Sequence, residues 1–401
     1  MHILVLTFLD YPSYEGGAIR LRHISRALAA RGHRITVVAP AIDFQTPAKE
    51  SSGAESILRI PMHYLPRVAR LPFLPRLVFA IQFTRAVRAL WAAAEIRGDV
   101  DLIQIEEQFP LVAPAVFLKS RTGAPILLDD VVLFHAIVSA KARRSFGPAL
   151  ARAAAWSLLR AERAAFARCD YFTYASARAQ DYLGERGFCG HVFFPNGVDT
   201  AHFRPGPRRR RSVERQVFFS ASPRSDQNLQ AIENLLDATP RIQSRCRRPV
   251  RVDIVCGPRA WVPPRILQKA RAVAGVTLHD TLPDILPLIQ EADLTVLPYT
   301  PGHHITGGAR LKALEYLACG KVLVSTPEGV EGLAGLVPGT HYLETPTLEG
   351  LIDLTVGVLE RPAAYAPIGE RGRSLVLERY SWEAVTQDYL SFVESVAGRR
   401  T

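Results

Sequence analysis

The feature that most constrains the fold of this chain is an alternation of short apolar strands with helices, which occurs twice. The apolar run at residues 3–8 predicts a buried strand, and the turn-rich loop after it contains Gly16 and Gly17. A helix is predicted at about residues 19–31, followed by a β-branched strand at residues 34–39. Strand, glycine loop, helix and strand together form a βαβ unit, whose strands are parallel and whose crossover is right-handed.

The same alternation restarts after a connector rich in proline and arginine at residues 203–212. Alternation of this kind is typical of parallel sheets that are covered by helices on both faces. The sequence therefore predicts an α/β chain with two Rossmann-like domains that face a central cleft. Before the connector, the further predicted strands lie at residues 57–60, 102–105, 126–128, 171–174 and 192–194. After it, strands are predicted at residues 217–219, 250–255, 276–279, 294–297 and 322–325.

Composition and charge narrow the class of protein further. Of the 401 residues, 48% are hydrophobic and 22% are charged, which is ordinary for a globular protein and excludes a disordered or collagen-like chain. Lysine and arginine number 49 against 38 acidic residues, so the net charge of +11 favours an anionic partner such as a nucleotide or a membrane surface. The 5 cysteines include no C-x-x-C pair, which argues against a disulfide scaffold and a structural zinc site.

Several functional classes lack their characteristic motifs. No basic stretch precedes the apolar run at residues 3–6, and no apolar run reaches about 18 residues, so neither a secretory signal nor a transmembrane helix is expected. No G-x-G-x-x-G follows the first strand, which argues against a dinucleotide-dependent oxidoreductase. Zinc-binding, helix-turn-helix and mixed basic-aromatic motifs are missing, so no nucleic-acid partner is expected. These observations predict a cytoplasmic protein.

The most informative segment begins with Gly307 and Gly308, which open a predicted helix. Arg310 and Lys312 lie in its first turn, where cations oppose the helix dipole and therefore need another stabilising partner. A bound phosphate is such a partner, because free backbone N–H groups, the dipole and both cations converge on it. Glu315 lies on about the same helix face and can accept two hydrogen bonds from a vicinal diol such as that of ribose. The alternative is a helix with a Lys312–Glu315 ion pair and glycines that serve packing.

This segment resembles the retaining glycosyltransferases of family 4, which have the GT-B fold. Further matches follow in the family's order: the loop at residues 16–17, the segment 27–38, the interdomain segments 194–200 and 203–205, and the closing segment 380–382. Within the family, residues 220–228 and 311–315 are similar to bacterial envelope and exopolysaccharide transferases. The family helix reads approximately G-x-R-x-K-x-L-E-x-x-A-x-G, and the matching residues here are Gly308, Arg310, Lys312, Leu314, Glu315, Ala318 and Gly320.

The resemblance implies an enzyme that moves a sugar from a nucleoside diphosphate sugar to an acceptor hydroxyl with retention, in envelope polysaccharide or glycan biosynthesis, without a metal or other cofactor. It implies an acceptor-side domain at residues 1–204, a donor-binding domain at 205–378 and a helix at 379–401 that returns to the first domain. A nucleotide-sugar epimerase of the same fold and a transferase for a soluble natural product are the alternatives; the epimerase needs clustered acid–base residues, which the sequence does not show. The implied catalytic residues are Arg224, Arg310, Lys312 and Glu315, and Gly307, Gly308 and His304 join them in donor binding.

In the first domain, the resemblance implies a loop that contacts the acceptor or the diphosphate. Gly16 and Gly17 bring backbone amides to this loop, or else form only a tight turn. Arg20 follows at the start of the helix, where the helix dipole disfavours a cation. Glu107 follows a parallel strand, whose carboxyl end is where ligands bind in such sheets; it orients acceptor hydroxyls or caps the next helix.

Two positions depart from the family pattern. Many members carry two glutamates 8 positions apart; Glu315 occupies the second position, but Gly307 occupies the first. A histidine often follows the fifth strand of the first domain, but here Asp130, assigned to the acceptor loop, is followed by Val131. His135 lies one helical turn later and either replaces the family's histidine or is a structural histidine.

Residues 67–81 interleave arginines with phenylalanine and leucine, which is the composition of an interfacial anchor or of a core helix with a proline-rich lead-in. The arginine run at residues 208–211 is either a contact for acidic lipid or a solvated hinge. The expected acceptor is a sugar, a glycan or a lipid-linked glycan. For a lipid-linked acceptor, we expect contact with an anionic membrane surface and a peripheral position on its inner face.

Overall fold

The computed structural model describes residues 1–9, 11, 16–41, 47–62, 74–96, 99–188, 190–207, 213–223, 225–302 and 310–397. The chain divides into two compact units, the first made of Met1–Pro195 and Thr386–Thr401 and the second of Asn196–Ile305 and Ala309–Val385. The described residues of each unit form a mainly parallel sheet between helices. The predicted α/β fold with two parallel-sheet domains is therefore confirmed.

The first unit contains an eight-stranded sheet within its described residues, in the order β3-β4-β2-β1-β5-β6-β7-β8. All neighbouring strands are parallel except the β3–β4 pair at one edge, which is antiparallel. The strands are β1 (His2–Leu6), β2 (Arg34–Ala41), β3 (Lys49–Ser52), β4 (Glu55–Pro61), β5 (Leu102–Glu106), β6 (Ile126–Asp129), β7 (Tyr171–Tyr174) and β8 (His191–Phe193). The helices are α1 (Gly16–Ala30), α2 (Leu74–Ala92), α3 (Val112–Thr122), α4 (Phe134–Phe166) and α5 (Ala177–Glu185).

Both faces of this sheet are buried. Along β1, Leu4 and Leu6 belong to one hydrophobic cluster, whereas Ile3 and Val5 belong to another, because successive side chains of a strand point to opposite faces. The second of these clusters also contains Tyr389, Leu390, Val393 and Val396 from the C-terminal helix. The last helix of the chain therefore completes the core of the first unit.

The helical run of α4 turns back on itself. The backbone N–H of His135 donates to Glu162, and a straight helix would place these residues about 40 Å apart. The rings of His135 and Phe166, which lie at opposite ends of α4, both pack against Tyr182 of α5. The first and last turns of α4 are thus neighbours, next to the carboxyl end of β6.

The second unit contains a six-stranded parallel sheet within its described residues, in the order β11-β10-β9-β12-β13-β14. Its strands are β9 (Arg215–Ser220), β10 (Val250–Val255), β11 (Val276–His279), β12 (Leu294–Leu297), β13 (Val322–Ser325) and β14 (Leu343–Glu344). Its helices are α6 (Asp226–Arg245), α7 (Pro264–Ala272), α8 (Leu286–Glu291), α9 (Leu311–Ala318), α10 (Leu348–Glu360) and α11 (Pro362–Arg379). The C-terminal helix α12 (Trp382–Val396) begins in this unit and continues into the first. Among the described helices of the whole chain, none is long and apolar enough to span a bilayer.

Candidate functional site

The start of α9 carries a rigidly held arginine. Arg310 immediately precedes the helix, whose buried face of Leu314, Leu317 and their neighbours anchors it in the core. The Nε atom of Arg310 donates to the backbone oxygen of Glu328 at 2.9 Å, and its guanidinium carbon lies 3.5 Å from the centre of the Tyr299 ring. Burial lowers the pKa of this arginine, so its charge is only partly compensated by the surrounding protein.

A second cation of α9 is bound to a buried tyrosine. The Nζ atom of Lys312 donates to the hydroxyl of Tyr299 at 2.9 Å, and that hydroxyl donates to Oδ1 of Asn228 at 2.8 Å. Tyr299 follows β12 and Asn228 follows β9, so two adjacent strands deliver these groups to the same edge of the sheet. Ligands of parallel α/β sheets bind at this edge, where Arg310 and Lys312 are now placed.

Glu328 also lies beside Arg310, although the sequence analysis did not single it out. It follows β13 and is buried, with 6% of the residue exposed. One carboxylate oxygen accepts from the backbone N–H of Gly302 at 2.7 Å, while the other has no hydrogen-bond partner within the described residues. The sequence did contain a signal for Glu328, which lies between a proline and a glycine shortly after a buried strand. Polar residues at the carboxyl ends of parallel strands lie at the edge of the sheet where ligands bind.

Glu315 lies one turn into α9 and remains without a hydrogen-bond donor from the described chain. The ion pair with Lys312 that was the alternative is absent, since Lys312 turns to Tyr299 instead. Burial raises the pKa of Glu315 to about 7, although the positive potential of Lys312 and His202 opposes the shift. A partly buried carboxyl group without a donor is poised to accept hydrogen bonds from a ligand.

Four predicted donor-site residues, Arg224, His304, Gly307 and Gly308, lie outside the described residues. Their roles remain predictions. Arg310, Lys312 and Glu315 are described, and α9 brings these three onto one short stretch of helix. Within the described ranges, no group of three or more histidine, cysteine, aspartate or glutamate side chains is placed to hold a metal ion.

In the first unit, two acidic residues have a backbone conformation that is unusual for non-glycine residues. Glu107 has a φ of 56° and Asp130 a φ of 50°, directly after the ends of β5 and β6. The N–H of Glu107 donates to the backbone oxygen of Asp129 at 2.9 Å, which joins the two strand ends. Such left-handed residues are strained and concentrate at functional sites. The structure thus brings Glu107 and Asp130 together at the carboxyl edge of this sheet.

Asp130 is itself buried and incompletely paired. Its Oδ1 atom has no hydrogen-bond partner in the described part of the chain. Burial raises the pKa of this carboxyl group, against the attraction of the Arg20 charge. Glu106, the last residue of the neighbouring strand β5, is also buried, and burial raises the pKa of its carboxyl group well above the usual range.

Gly17 lies against the side chain of Glu107. A Cβ atom on residue 17 would overlap Oε1 of Glu107 and lie 2.9 Å from Cδ1 of Leu9. Helix α1 begins at Gly16, so the Glu107 carboxylate lies beside the first turn of this helix, where the helix dipole stabilises negative charge. The predicted loop residues Gly16, Gly17 and Glu107 are therefore neighbours.

Arg20, which the resemblance assigned to the site of the first domain, has a buried side chain that is paired with a carboxylate. Its side chain is 1% exposed, in the second turn of α1, and forms two hydrogen bonds of 3.1 Å with the carboxylate of Asp129. It also donates to the backbone oxygens of Phe194 and Pro195. Burial opposes its charge, but Asp129 and Asp130 outweigh burial and raise its pKa. Arg20 therefore links β6 to the segment after β8 through buried hydrogen bonds.

His135 lies in the first turn of α4, at the same edge of the sheet as Asp130. Its side chain is 20% exposed, and its Nδ1 atom lies 2.8 Å from Oε1 of the completely buried Glu162. Glu162 was not predicted as a site residue. No local sequence signal indicates it, because the contact depends on the reversal of α4.

Two protein-family models match the chain, one in each half of the sequence. A family model described as Glycosyltransferase Family 4 matches residues 14–202, and one described as Glycosyl transferases group 1 matches residues 214–353. A similar protein is the MMP alpha-(1->4)-mannosyltransferase of Mycolicibacterium hassiacum, which is 23% identical over 431 residues, with 100% of this chain and 99% of the relative covered.

Solved structures share the fold over almost the whole chain. Sucrose-phosphate synthase from Thermosynechococcus elongatus superposes with a TM-score of 0.73 at 19% identity, covering 98% of each chain. HepE from Anabaena, in complex with UDP and glucose, gives a TM-score of 0.67 at 16% identity, covering 98% of this chain and 100% of its own. The chain therefore belongs to the glycosyltransferases of the GT-B fold, with a family 4 domain followed by a group 1 domain.

Proposed function

We propose that this glycosyltransferase moves a hexose from a nucleoside diphosphate sugar to an acceptor hydroxyl and retains the anomeric configuration. The observation that carries the proposal is the cluster at the start of α9. There, Arg310 and Lys312 present positive charge at the carboxyl edge of the sheet, and Glu315 lies one turn further with no hydrogen-bond donor from the described chain. Two cations suit a diphosphate, and the carboxylate suits the vicinal diol of a ribose.

The chemistry of such a transfer depends on the leaving group. As the bond between the sugar and the diphosphate breaks, negative charge develops on the phosphate oxygens. Fixed cations stabilise that charge without any movement at the moment of reaction. Arg310, which is held by Glu328 and the Tyr299 ring, and Lys312, which is held by the Tyr299 hydroxyl, are fixed in this way.

The relatives support a sugar nucleotide as donor. HepE is solved with UDP and glucose, and the similar protein of Mycolicibacterium hassiacum is named as a mannosyltransferase. In the first unit, Glu107, Asp130 and His135 supply carboxylate and imidazole groups at the strand ends, which is the chemistry that binds sugar hydroxyls. An acceptor glycan in envelope polysaccharide biosynthesis is consistent with these groups.

The test is isothermal titration calorimetry with UDP, GDP, ADP and dTDP on the parent protein, followed by Arg310→Ala and Lys312→Ala. Each variant should bind the preferred diphosphate about 10–100-fold more weakly, because each loses a charge-assisted hydrogen bond worth about 1.5–3 kcal/mol. The matched control is Lys269→Ala, which removes a cation of the same unit that is paired with Asp237. Equal affinities of all four proteins would refute the diphosphate site.

The fate of the sugar distinguishes transfer from epimerisation. With donor and acceptor sugars present, a transferase releases the nucleoside diphosphate and forms a new glycosidic bond, whereas an epimerase isomerises the sugar. NMR of the product should show the same anomeric configuration as the donor. An inverted product would contradict the proposed retention.

We further propose that the first unit attaches reversibly to anionic membranes. Residues 67–73 of the predicted anchor lie outside the described residues, but the described face of α4 supports attachment independently. One side of the helix exposes three arginines and a tryptophan: Arg152, Trp156, Arg160 and Arg163. Trp156 is 59% exposed. The acidic residue within this stretch, Glu162, is completely buried, so the exposed face is uniformly basic with an aromatic group.

Co-sedimentation with vesicles tests this attachment. The parent protein should pellet with vesicles of phosphatidylglycerol and phosphatidylcholine and much less with phosphatidylcholine alone, and salt should weaken the binding. Trp156→Ala combined with Arg160→Glu should reduce it. The control combines Trp261→Ala with Arg265→Glu, which alter an exposed tryptophan and arginine of the second unit. Equal recovery in the supernatant with both vesicles would favour a soluble acceptor.

A further inference from the structure

A single buried carboxylate holds both the ring and the backbone of a histidine at the strand ends of the first unit. The Nδ1 atom of His135 lies 2.8 Å from Oε1 of Glu162, and the backbone N–H of His135 donates to Oε2 at 3.3 Å. Glu162 is completely buried, whereas the His135 side chain is 20% exposed. The buried group is therefore inaccessible to a ligand, and the histidine is accessible.

The pairing leaves one nitrogen of the ring available. Nδ1 faces a carboxylate and so carries a proton, which leaves Nε2 as the atom that meets a ligand. No described residue hydrogen-bonds to Nε2. The ring also packs on Tyr182, with 5.4 Å between ring centres and 31° between ring planes, so its rotation is restricted from a second side.

The His135 ring lies just after the carboxyl end of a parallel strand, where ligand-binding groups are found in α/β folds. Strand β6 ends at Asp129, and the loop of residues 130–133 leads directly into α4, whose second residue is His135. Groups that follow the carboxyl ends of parallel strands border the ligand site in α/β folds. The strained Asp130 lies in the same loop.

We propose that Glu162 is a positioning residue that fixes the tautomer and orientation of His135, so that Nε2 meets a hydroxyl group of a sugar substrate. The proposal rests on the proposed glycosyltransfer. The carboxylate is specifically suited to the role, because two donors, the ring N–H and the backbone N–H, need two acceptor oxygens. Glutamine offers one acceptor oxygen and places an NH₂ group against the other donor.

The decisive variant is therefore Glu162→Gln, which keeps the volume of the side chain. It should lower kcat about tenfold or more and change the KM for the nucleotide sugar little. His135→Ala should have a comparable effect, and the double variant should be no worse than His135→Ala, because Glu162 acts through the histidine. The matched control is Glu394→Gln, which disturbs another histidine–glutamate hydrogen bond of the first unit, to His33, and should leave kcat unchanged.

Ring ¹⁵N NMR of histidine-labelled protein gives a readout that a merely structural role would not produce. The parent protein should show His135 with its proton on Nδ1, assigned by loss of the signal in His135→Ala, and Glu162→Gln should shift the tautomer balance. Because the parent spectrum alone reports the tautomer, the test survives if Glu162→Gln fails to fold. A proton on Nε2 in the parent protein, or an unchanged kcat in a folded Glu162→Gln, would overturn the proposal. Absence of sugar transfer by the parent protein would instead refute the proposed function and leave the NMR result standing.

Discussion

Gly17 and Glu107 lie so close that the side chain of Glu107 occupies the space that a methyl group on residue 17 would need. The contact joins the first turn of α1 to the strained residue after β5. Since Oε1 is the far end of a flexible side chain, the carboxylate can be displaced while the backbone stays in place. The Gly17–Glu107 contact is therefore a means of moving one candidate site group without deleting it.

Gly17→Ala should lower kcat/KM about tenfold, equivalent to about 1.4 kcal/mol, because the Glu107 carboxylate is displaced. The free energy of unfolding should change by less than about 1 kcal/mol, since alanine favours the helix and only the ends of the Glu107 and Leu9 side chains must shift. The control is Gly184→Ala in α5, where a Cβ meets nothing within 4 Å. If Gly17→Ala still lowers activity when Glu107 is already alanine, the displacement of Glu107 is not the cause.

Glu315→Gln should change how stability depends on pH. Burial raises the pKa of Glu315 from its usual 4.5 to about 7 in the folded protein. Between these two values the unfolded chain is ionised and the folded chain is protonated, so the contribution of this group to stability falls as pH rises. Glu315→Gln removes that contribution, and its stability relative to the parent should rise from pH 4.5 to 7, by about 3 kcal/mol at most, then level off. Urea unfolding at several pH values measures this, and parallel pH curves for both proteins would contradict it.

Nucleotide binding should be linked to the same proton. If the ionised Glu315 accepts hydrogen bonds from ribose, binding favours the carboxylate, so affinity should increase as pH rises through 7. Calorimetry of the diphosphate in buffers of different ionisation enthalpy should show proton release below pH 7. Glu315→Gln controls for ionisation of the phosphate itself, and identical proton release in both proteins would exclude Glu315 as the source.

Tyr299→Phe should weaken diphosphate binding about tenfold, because Lys312 loses the hydroxyl that holds its ammonium group. It should also destabilise the protein by about 1–3 kcal/mol, since Asn228 loses a buried donor. Tyr380→Phe removes another buried hydroxyl, bonded to the backbone oxygen of Ala334, and should affect stability alone. Calorimetry and thermal unfolding of both variants separate the two effects; equal loss of binding in both would indicate a general rather than a local cause.

Arg20→Met should destabilise the protein by about 3–5 kcal/mol, because it leaves Asp129 buried without its partner. Adding Asp129→Asn should recover part of this loss. Arg31→Met provides the contrast: its ion pair with Glu394 is exposed, so its removal should change the free energy of unfolding by less than about 1 kcal/mol. Chemical denaturation of the three variants checks the order, and similar effects of Arg20→Met and Arg31→Met would show that burial of the pair is unimportant.

Hydrophobic periodicity was sufficient to predict most of the parallel strands, because a strand buried on both faces needs a continuous apolar run. It missed β3, whose sequence Lys-Glu-Ser-Ser is polar and lies at the sheet edge. The placement of cations at the start of a helix drew attention to Arg310 and Lys312, but the same argument did not indicate the buried ion pair of Arg20. Its partner Asp129 is 109 positions away in sequence, and only the packing of β6 against α1 reveals the pair.

The reversal of α4 was equally invisible, because helical periodicity reports local conformation and carries no information on where a helical run turns back. As a result, the contact between His135 and Glu162 could not be predicted. The contacts of Tyr299 and Glu328 with Arg310 could not be predicted from local sequence either, because each residue is placed beside α9 by the strand that precedes it. Sequence patterns thus drew attention to the two cations of α9, and tertiary packing determined which residues hold them.

The place of α12 in the core of the first unit has a consequence for synthesis on the ribosome. Residues 1–195 emerge before α12, but their hydrophobic cluster includes Tyr389, Leu390, Val393 and Val396. Until these last residues leave the exit tunnel, the nascent first unit exposes the apolar surface that α12 covers, and Arg20 lacks the Tyr389 ring that lies 5.7 Å away. The first unit therefore reaches its native state only after translation of the second, and truncation within α12 damages a unit whose other residues were made before the second unit.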